Sequence, residues 1–258
     1  MGNGSRTWAS AYKKIFTAHS SGKRYTEAET KNDEIETKGL ALMVDQAKEK
    51  ELAGKKAAEL VEDGMTLGLG TGSTVECMLY ALGDRVKAGL KIKGVPTSER
   101  TAALCHKLGI ELVDFFQVDR LDLAIDGADE IDVNFQMTKG GGGALLREKI
   151  VAEAADKVAI MVDSTKLVDK LGAFPLPVEI VKFGHPQTEA KIRAMGIDFS
   201  LRSSGDDPYS TDNGNYILDC KMGTIDEQAG VVDTGLFIDL CDYLVIGTGD
   251  VAEIRNKP

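Results

Sequence analysis

The sequence predicts an α/β protein: a Rossmann-like, mostly parallel sheet with helices on both faces, joined to a small α+β module. Three observations carry that prediction. Apolar strand-like runs alternate with helical repeats from residue 45 to residue 163. A glycine-rich turn, Gly68-Leu69-Gly70-Thr71-Gly72-Ser73-Thr74, links the first of those strands to a helix. After Phe174-Pro175-Leu176-Pro177 the texture changes to short strands around one helix. The expected organisation is an N-terminal extension over 1–40, a main domain over 41–176, a small domain over 177–240, and a return to the main domain over 241–258.

Each element has its own signal. In residues 45–61, Ala47, Leu52, Ala57, Leu60 and Val61 recur near a 3.6 period, which predicts a helix, and Gly64 suits its stop. Residues 65–69 read as a strand entering the glycine turn. The next helix begins near Ser73 and runs through Val75, Met78, Leu79 and Leu82. Short strands are expected at 92–96 and 110–113 around a helix at 98–108. Residues 121–125 form a buried strand ending at Asp126, and 157–162 form another. In the small module, strands at 178–183, 199–202, 216–220 and 231–237 accompany a helix at 187–195, with a polar, turn-rich loop at 205–215. The apolar run Tyr243-Leu244-Val245-Ile246-Gly247 suits a strand that returns to the main sheet.

Composition narrows the function classes. The 258 residues hold one large domain, or a core domain with a small second one. No run of 18 apolar residues is present, so no membrane partner is expected. Cys77, Cys105, Cys220 and Cys241 are scattered without a C-x-x-C pair, which argues against structural zinc and a disulfide framework and favours a reducing, cytoplasmic setting. His19, His106 and His185 are equally dispersed, which disfavours a histidine triad or metal cluster. A net charge of −10 disfavours nucleic acid but not a small phosphorylated ligand. The charge is uneven: residues 1–25 carry five basic residues and no acid. Their basic, Ser/Thr-rich composition resembles an organellar transit peptide, with a plain tail as the other reading. Arg6 makes Met1-Gly2 a poor myristoylation match.

Two stretches carry chemistry. The glycine turn offers backbone N–H groups at a helix N-terminus and three hydroxyls, which is what a phosphate monoester needs. The other reading is a tight turn with Ser73 as helix cap. Ser73 at the third glycine position spoils a dinucleotide fingerprint, and no Gly-Lys-Ser/Thr follows for a Walker loop. The second stretch places Asp126, Asp129 and Glu130 at the end of a parallel strand, where α/β sheets bind ligands, followed by Lys139 and Gly140 to Gly143. The other reading there is two loop aspartates capping turns. On a helix over 143–156, Glu148 shares a stripe with Ala144, Val151 and Ala155, while Lys149, Glu153 and Asp156 fall on a stripe expected to face water. A carboxylate on an apolar stripe is either paired with an internal cation or is a base tuned by its surroundings. Lys166 follows another strand end, where it either adds charge to a phosphate site or is simply solvated.

Together these segments resemble the type A ribose-5-phosphate isomerases. The match rests on residues 68–74, Val95-Pro96-Thr97-Ser98, Asp126 to Ile131, Lys139 to Gly143 with Arg147-Glu148-Lys149, Asp163 to Lys166, Leu176 to Glu179, Thr211 to Asn215, and Gly230 to Phe237, in the family's order. The resemblance implies a cofactor-independent aldose–ketose isomerase that interconverts D-ribose 5-phosphate and D-ribulose 5-phosphate through an enediolate. It implies a sugar phosphate as partner and a homo-oligomer, dimer or tetramer. By the family pattern Glu148 is the base between C2 and C1, Asp126 assists ring opening and proton transfer at the oxygens with Asp129 beside it, and Lys139 stabilises the oxyanion. Thr71, Gly72, Ser73 and Thr74 cradle substrate, with Gly127, Ala128, Gly140, Gly141 and Gly142 around it and Lys166 and Lys50 nearer the phosphate.

Two departures stand out. The extension over 1–40 lies outside the pattern. Only residues 224–229 separate the strand at 216–220 from Gly230, where the family carries a helix completing a ferredoxin-like module, so the small domain is expected to be shortened. The alternative function is a non-catalytic sugar-phosphate-sensing domain, against which Glu148, Asp126 and Lys139 argue together. A nucleotide-binding oxidoreductase fails on the incomplete fingerprint.

Overall fold

A computed structural model describes residues 46–222 and 233–258. The transit-peptide reading and the shortened connection at 224–229 lie outside the described residues. The main sheet follows an αβ succession: α1 (Gln46–Ala58), β1 (Thr66–Leu69), α2 (Ser73–Lys87), β2 (Lys93–Pro96), α3 (Glu99–Leu108), β3 (Glu111–Leu112) and β4 (Leu123–Gly127). After two short strands, β5 (Glu130–Ile131) and β6 (Met137–Thr138), come α4 (Leu145–Glu153) and β7 (Val158–Asp163), which runs into a 3₁₀ turn at Ser164–Lys166. The second part holds β8 (Leu176–Ile180), α5 (His185–Ala194), β9 (Asp198–Leu201), the hairpin β10 (Ser203–Ser204) and β11 (Asp207–Pro208), β12 (Tyr216–Lys221) and β13 (Leu236–Phe237). The chain ends in β14 (Tyr243–Thr248) and β15 (Val251–Asn256).

Seven strands form the main sheet in the order β15-β14-β7-β4-β1-β2-β3, parallel except for β15. Alternation along the strands splits the core into two faces. Leu67, Leu69, Ile125, Ala159, Met161 and Val245 pack with Ala53 and Ala57 of α1, Met78 and Leu82 of α2, and Cys105 of α3. Their neighbours Ala124, Val158, Ile160, Val162, Leu244 and Ile246 face the other way, onto Val151 and Ala152 of α4, Met137 of β6 and Phe237 of β13. The helices thus cover both faces, as the continuous apolar strands require. A separate antiparallel sheet, β8-β12-β9, has its own core of Val178, Ile180, Ile192, Phe199 and Leu218.

The strands run from β1 outward in two directions, through β2 to β3 and through β4 to β7 and β14. The switch point therefore lies between β1 and β4, whose ends place the glycine turn beside Asp126. Asp126 is the fourth residue of β4, paired with Ile160, rather than a loop residue beyond the strand.

Other details differ from the sequence reading. Ala47 is exposed, and Glu49 occupies the buried face of α1 with 1% exposure, because its carboxylate accepts hydrogen bonds from Ser164 N, Ser164 Oγ and Gly249 N. The strand expected at 178–183 ends at Ile180, leaving Val181 and Phe183 exposed. Of the strand expected at 231–237, the described part is Leu236–Phe237.

Candidate active site

The glycine turn is shaped by the carboxylate beside it. A Cβ on Gly70 would lie 2.1 Å from Asp126 Oδ1, so any side chain there would displace that carboxylate. Asp126 Oδ1 accepts from Thr71 N (3.1 Å) and Gly127 N (2.8 Å), which ties the two strand ends together. Gly72, at φ 142°, is the N-cap of α2, so Ser73 is its first helical residue and not the cap. Among the described residues no side chain caps this helix. The first N–H groups of α2 are thus left for a ligand, and the positive end of the helix favours an anion.

Thr71 is held by a set of hydroxyls that the sequence reading did not assign. Its Oγ1 lies 2.7 Å from Thr97 Oγ1 and 2.8 Å from Ser98 Oγ, and Thr101 Oγ1 donates to Gly70 O. Ser98 also caps α3, accepting from Thr101 N, which is the one legible signal among them.

The second stretch folds into a buried charge cluster. Lys139 Nζ lies 2.9 Å from Asp126 Oδ2, donates to Gly127 O at 2.5 Å, and lies 3.4 Å from Glu148 Oε2. Its ammonium sits 5.5 Å above the buried ring of Phe237. The side chains of Lys139 and Glu148 are 4% and 3% exposed, so neither charge is screened by bulk water. Glu148 Oε2 has no hydrogen-bond partner among the described residues; Lys139 attracts it without bonding it. Burial, then the nearby Asp126 carboxylate, pushes the Glu148 carboxyl up to about 8, against the pull of Lys139. For Lys139 burial works toward a lower value, but Asp126 and Glu148 outweigh it, and the ammonium is held above the ordinary lysine range. Both alternatives for Glu148 are therefore realised at once. It is paired with an internal cation, and its surroundings raise its affinity for a proton. Such an arrangement can take a proton from carbon and hold the charge that develops on an adjacent oxygen.

These groups open on a cavity of about 340 Å³. Glu148, Asp129 and Lys139 line it, as do Thr71, Gly72, Ser73 and Thr74, Gly127 and Ala128, and Gly140, Gly141 and Gly142. Lys50 and Lys166 reach the same cavity from α1 and the 3₁₀ turn. Asp126 does not line it; it stands behind Lys139. Arg100, which no sequence motif marked, is a fourth cation on the wall, with Nε and Nη2 both donating to Glu76 Oε1.

Two charged residues near the run belong elsewhere. Glu130 accepts from Gly172 N and Phe174 N and so anchors the loop into β8. Lys149, expected to face water, instead pairs with Asp233 and donates to Thr234 O, because the segment entering β13 covers that side of α4. The Thr211–Asn215 segment also has a structural task. Thr211 Oγ1, Asn213 Nδ2 and Asn215 Nδ2 all donate to buried Glu179 Oε1, and Asp212 Oδ2 accepts from Glu99 N at the start of α3. Burial pushes the thiols of Cys105 and Cys220 up to about 11 and that of Cys241 to about 12, which leaves them poor nucleophiles.

Known proteins resemble this chain in sequence and architecture. Residues 93–251 match the signature of ribose 5-phosphate isomerase A (phosphoriboisomerase A). The chain is 49% identical over 228 residues to the ribose-5-phosphate isomerase A of Ruegeria sp. (strain TM1040), covering 81% of this chain and 87% of that protein. It is 49% identical over 210 residues to that of Bacillus mycoides (strain KBAB4), covering 77% and 95%. Among solved structures, it superposes with a TM-score of 0.76 at 35% identity on the ribose 5-phosphate isomerase of Plasmodium falciparum, covering 81% and 97%. A D-ribose-5-phosphate isomerase in complex with phospho-erythronic acid gives 0.76 at 35% identity, covering 80% and 97%. With a match of this extent in sequence and fold, the chain belongs to the ribose 5-phosphate isomerase A family.

Proposed function

We propose that this chain interconverts D-ribose 5-phosphate and D-ribulose 5-phosphate through an enediolate, as an isomerase of the non-oxidative pentose phosphate pathway. The observation that carries the reading is the buried Glu148 carboxylate, with one oxygen unbonded, 3.4 Å from the Lys139 ammonium on the cavity wall. Glu148 removes the proton from C2 and returns it to C1. Lys139, already fixed by Asp126 and Gly127 O, stabilises the oxyanion without reorganising. Asp129 faces the cavity and serves the substrate oxygens in ring opening and proton transfer, and Asp126 acts on them through Lys139. Thr71 to Thr74, with Gly127, Ala128 and Gly140 to Gly142, form the cradle. The open N-terminus of α2 with Lys50 and Lys166 takes the phosphate. The relative solved with phospho-erythronic acid supports a small phosphorylated, sugar-derived ligand. A sensing domain has no use for a base held so close to an ammonium, so catalysis is favoured.

The same reading divides the chain into the extension over 1–40, a catalytic domain over 41–176 with 241–258, and a small α+β domain over 177–240. It also takes the protein as a cytoplasmic homo-oligomer of two or four copies. Four free cysteines support a reducing compartment, and exposed Val181, Phe183 and Met195 offer apolar surface for assembly. Light scattering of the purified chain tests the last point.

The test of the function is conversion of ribose 5-phosphate by wild type and Glu148→Gln, each with and without chelator. Chelator is expected to leave the rate unchanged, and the substitution to lower kcat by about three orders of magnitude. Equal rates for the two proteins would remove Glu148 from the mechanism.

A further inference from the structure

Four consecutive glycines are a poor way to hold a site still. Gly140 and Gly143 sit at φ 102° and 81°, and a peptide unit between two glycines can rotate with little steric resistance. Yet Gly140, Gly141 and Gly142 line the cavity and follow directly on Lys139. Within the loop Gly143 N donates to Gly140 O at 3.0 Å, a neutral bond that leaves the N–H side of the Gly140–Gly141 peptide to be fixed from outside.

Arg202, just past β9, meets that need. Its backbone is pinned on both sides, with N donating to Ile217 O and O accepting from Tyr209 N. Its side chain is 15% exposed and bonds Asp219 through two nitrogens, Nε at 3.0 Å and Nη2. The remaining nitrogen, Nη1, donates to Gly140 O at 2.8 Å and approaches Gly141 O at 3.3 Å. The other end of the same peptide unit, Gly141 N, donates to Asp129 Oδ2 at 2.7 Å. The Gly140–Gly141 peptide thus has a cation on its carbonyl and a carboxylate on its N–H. Both charges match the peptide dipole, so a flip would break two charge-assisted hydrogen bonds. Asp219, Arg202, the peptide and Asp129 form one line of alternating charge from the small sheet to the cavity.

We propose that Arg202 is a positioning residue for the isomerisation: through the Gly140–Gly141 peptide it fixes Asp129 and the loop that carries Lys139. It does not line the cavity. The small sheet is then part of the active site's support, and a guanidinium is required because one side chain must serve a carboxylate and a carbonyl together. This rests on the roles given above to Asp129 and Lys139.

The test uses the full chain and ribose 5-phosphate, comparing wild type, Arg202→Ala and Arg202→Lys, with melting temperatures measured alongside. Arg202→Ala is expected to lose about tenfold or more in kcat with KM within roughly threefold, since the phosphate end of the cavity is untouched. Arg202→Lys, which keeps one cation at the carbonyl, is expected to recover part of that loss. Guanidinium chloride at a few millimolar is expected to restore part of kcat in the alanine variant, while sodium chloride at equal ionic strength does not. Unchanged kcat in a folded Arg202→Ala overturns the proposal. So does a loss that neither lysine nor guanidinium recovers, because distortion and not the missing cation would then be the cause. A wild type inactive on ribose 5-phosphate would instead overturn the isomerase reading itself.

Discussion

Replacing Glu148 with glutamine should raise the stability of the fold at alkaline pH while it removes activity. The Glu148 carboxyl is pushed from an ordinary 4.5 up to about 8, first by burial and then by Asp126. A carboxyl whose folded value exceeds its unfolded value binds its proton more tightly in the native state. Its contribution to stability is full below about pH 4.5 and is lost as pH rises through about 8. At about 1.4 kcal/mol per pH unit, that window is worth on the order of 5 kcal/mol. Lys139 does not blur the measurement. Its ammonium value is raised above an already high 10.5, so its contribution is constant across the window. Glutamine keeps the shape of Glu148 but has no proton to lose, so the pH-dependent part vanishes in the variant. For a chain of this size, 1 kcal/mol moves the melting temperature by about 2–4 °C. The gap between Glu148→Gln and wild type should therefore widen in the variant's favour by about 10 °C between pH 5 and pH 8.5, in thermal unfolding at fixed ionic strength. The kcat/KM of wild type should rise with pH through the same region as the base loses its proton, with the apparent value belonging to the coupled cluster. A gap that stays flat with pH would refute the buried-base argument, whatever the activity shows.

Two further substitutions separate the roles within the cavity. Lys166→Ala is expected to raise KM about tenfold with kcat nearly unchanged, because a phosphate contact is made equally in ground and transition states; steady-state kinetics at low and high salt would show it, and a pure kcat loss would contradict the role. Lys139→Met removes the cation whose pull keeps the Glu148 value from rising past about 8, and leaves the buried Asp126 carboxylate without its partner. Unfolding by urea should show a loss of about 3–5 kcal/mol at neutral pH, where Glu148 is mostly protonated, and a larger one at pH 9, where no cation offsets an ionised Glu148 in the variant. Equal destabilisation at pH 7 and pH 9 would mean that packing over Phe237, and not charge, is what Lys139 supplies to Glu148.

What the sequence disclosed and what it hid follow from the topology. In a parallel sheet the chain must bring its strand ends to one edge, so residues 70–74 and 126–129 meet at the β1–β4 switch point although 56 positions separate Gly70 from Asp126. The glycine turn, the aspartates and the phase of Glu148 on its helix are local patterns, and local patterns in an αβ succession have predictable addresses. The contacts that steady the site are of another kind. Arg202 on Gly140, Glu49 on Ser164 and Gly249, and Glu179 under Thr211 to Asn215 are long-range pairings between a charged side chain and backbone or amide groups. Nothing in the neighbourhood of Glu49 marks it as buried; helical period placed Ala47 there, and three hydrogen bonds from across the fold overrode it. These buried carboxylates and the clamped glycine loop make the scaffold charged where a core would ordinarily be apolar. That choice follows from the chemistry. A base with raised proton affinity beside an ammonium can exist only where water is excluded, and where water is excluded every neighbouring backbone group must find a partner within the protein. The small sheet supplies several of those partners, which is why its loss should be felt at Lys139 and Asp129 before it is felt in the main sheet.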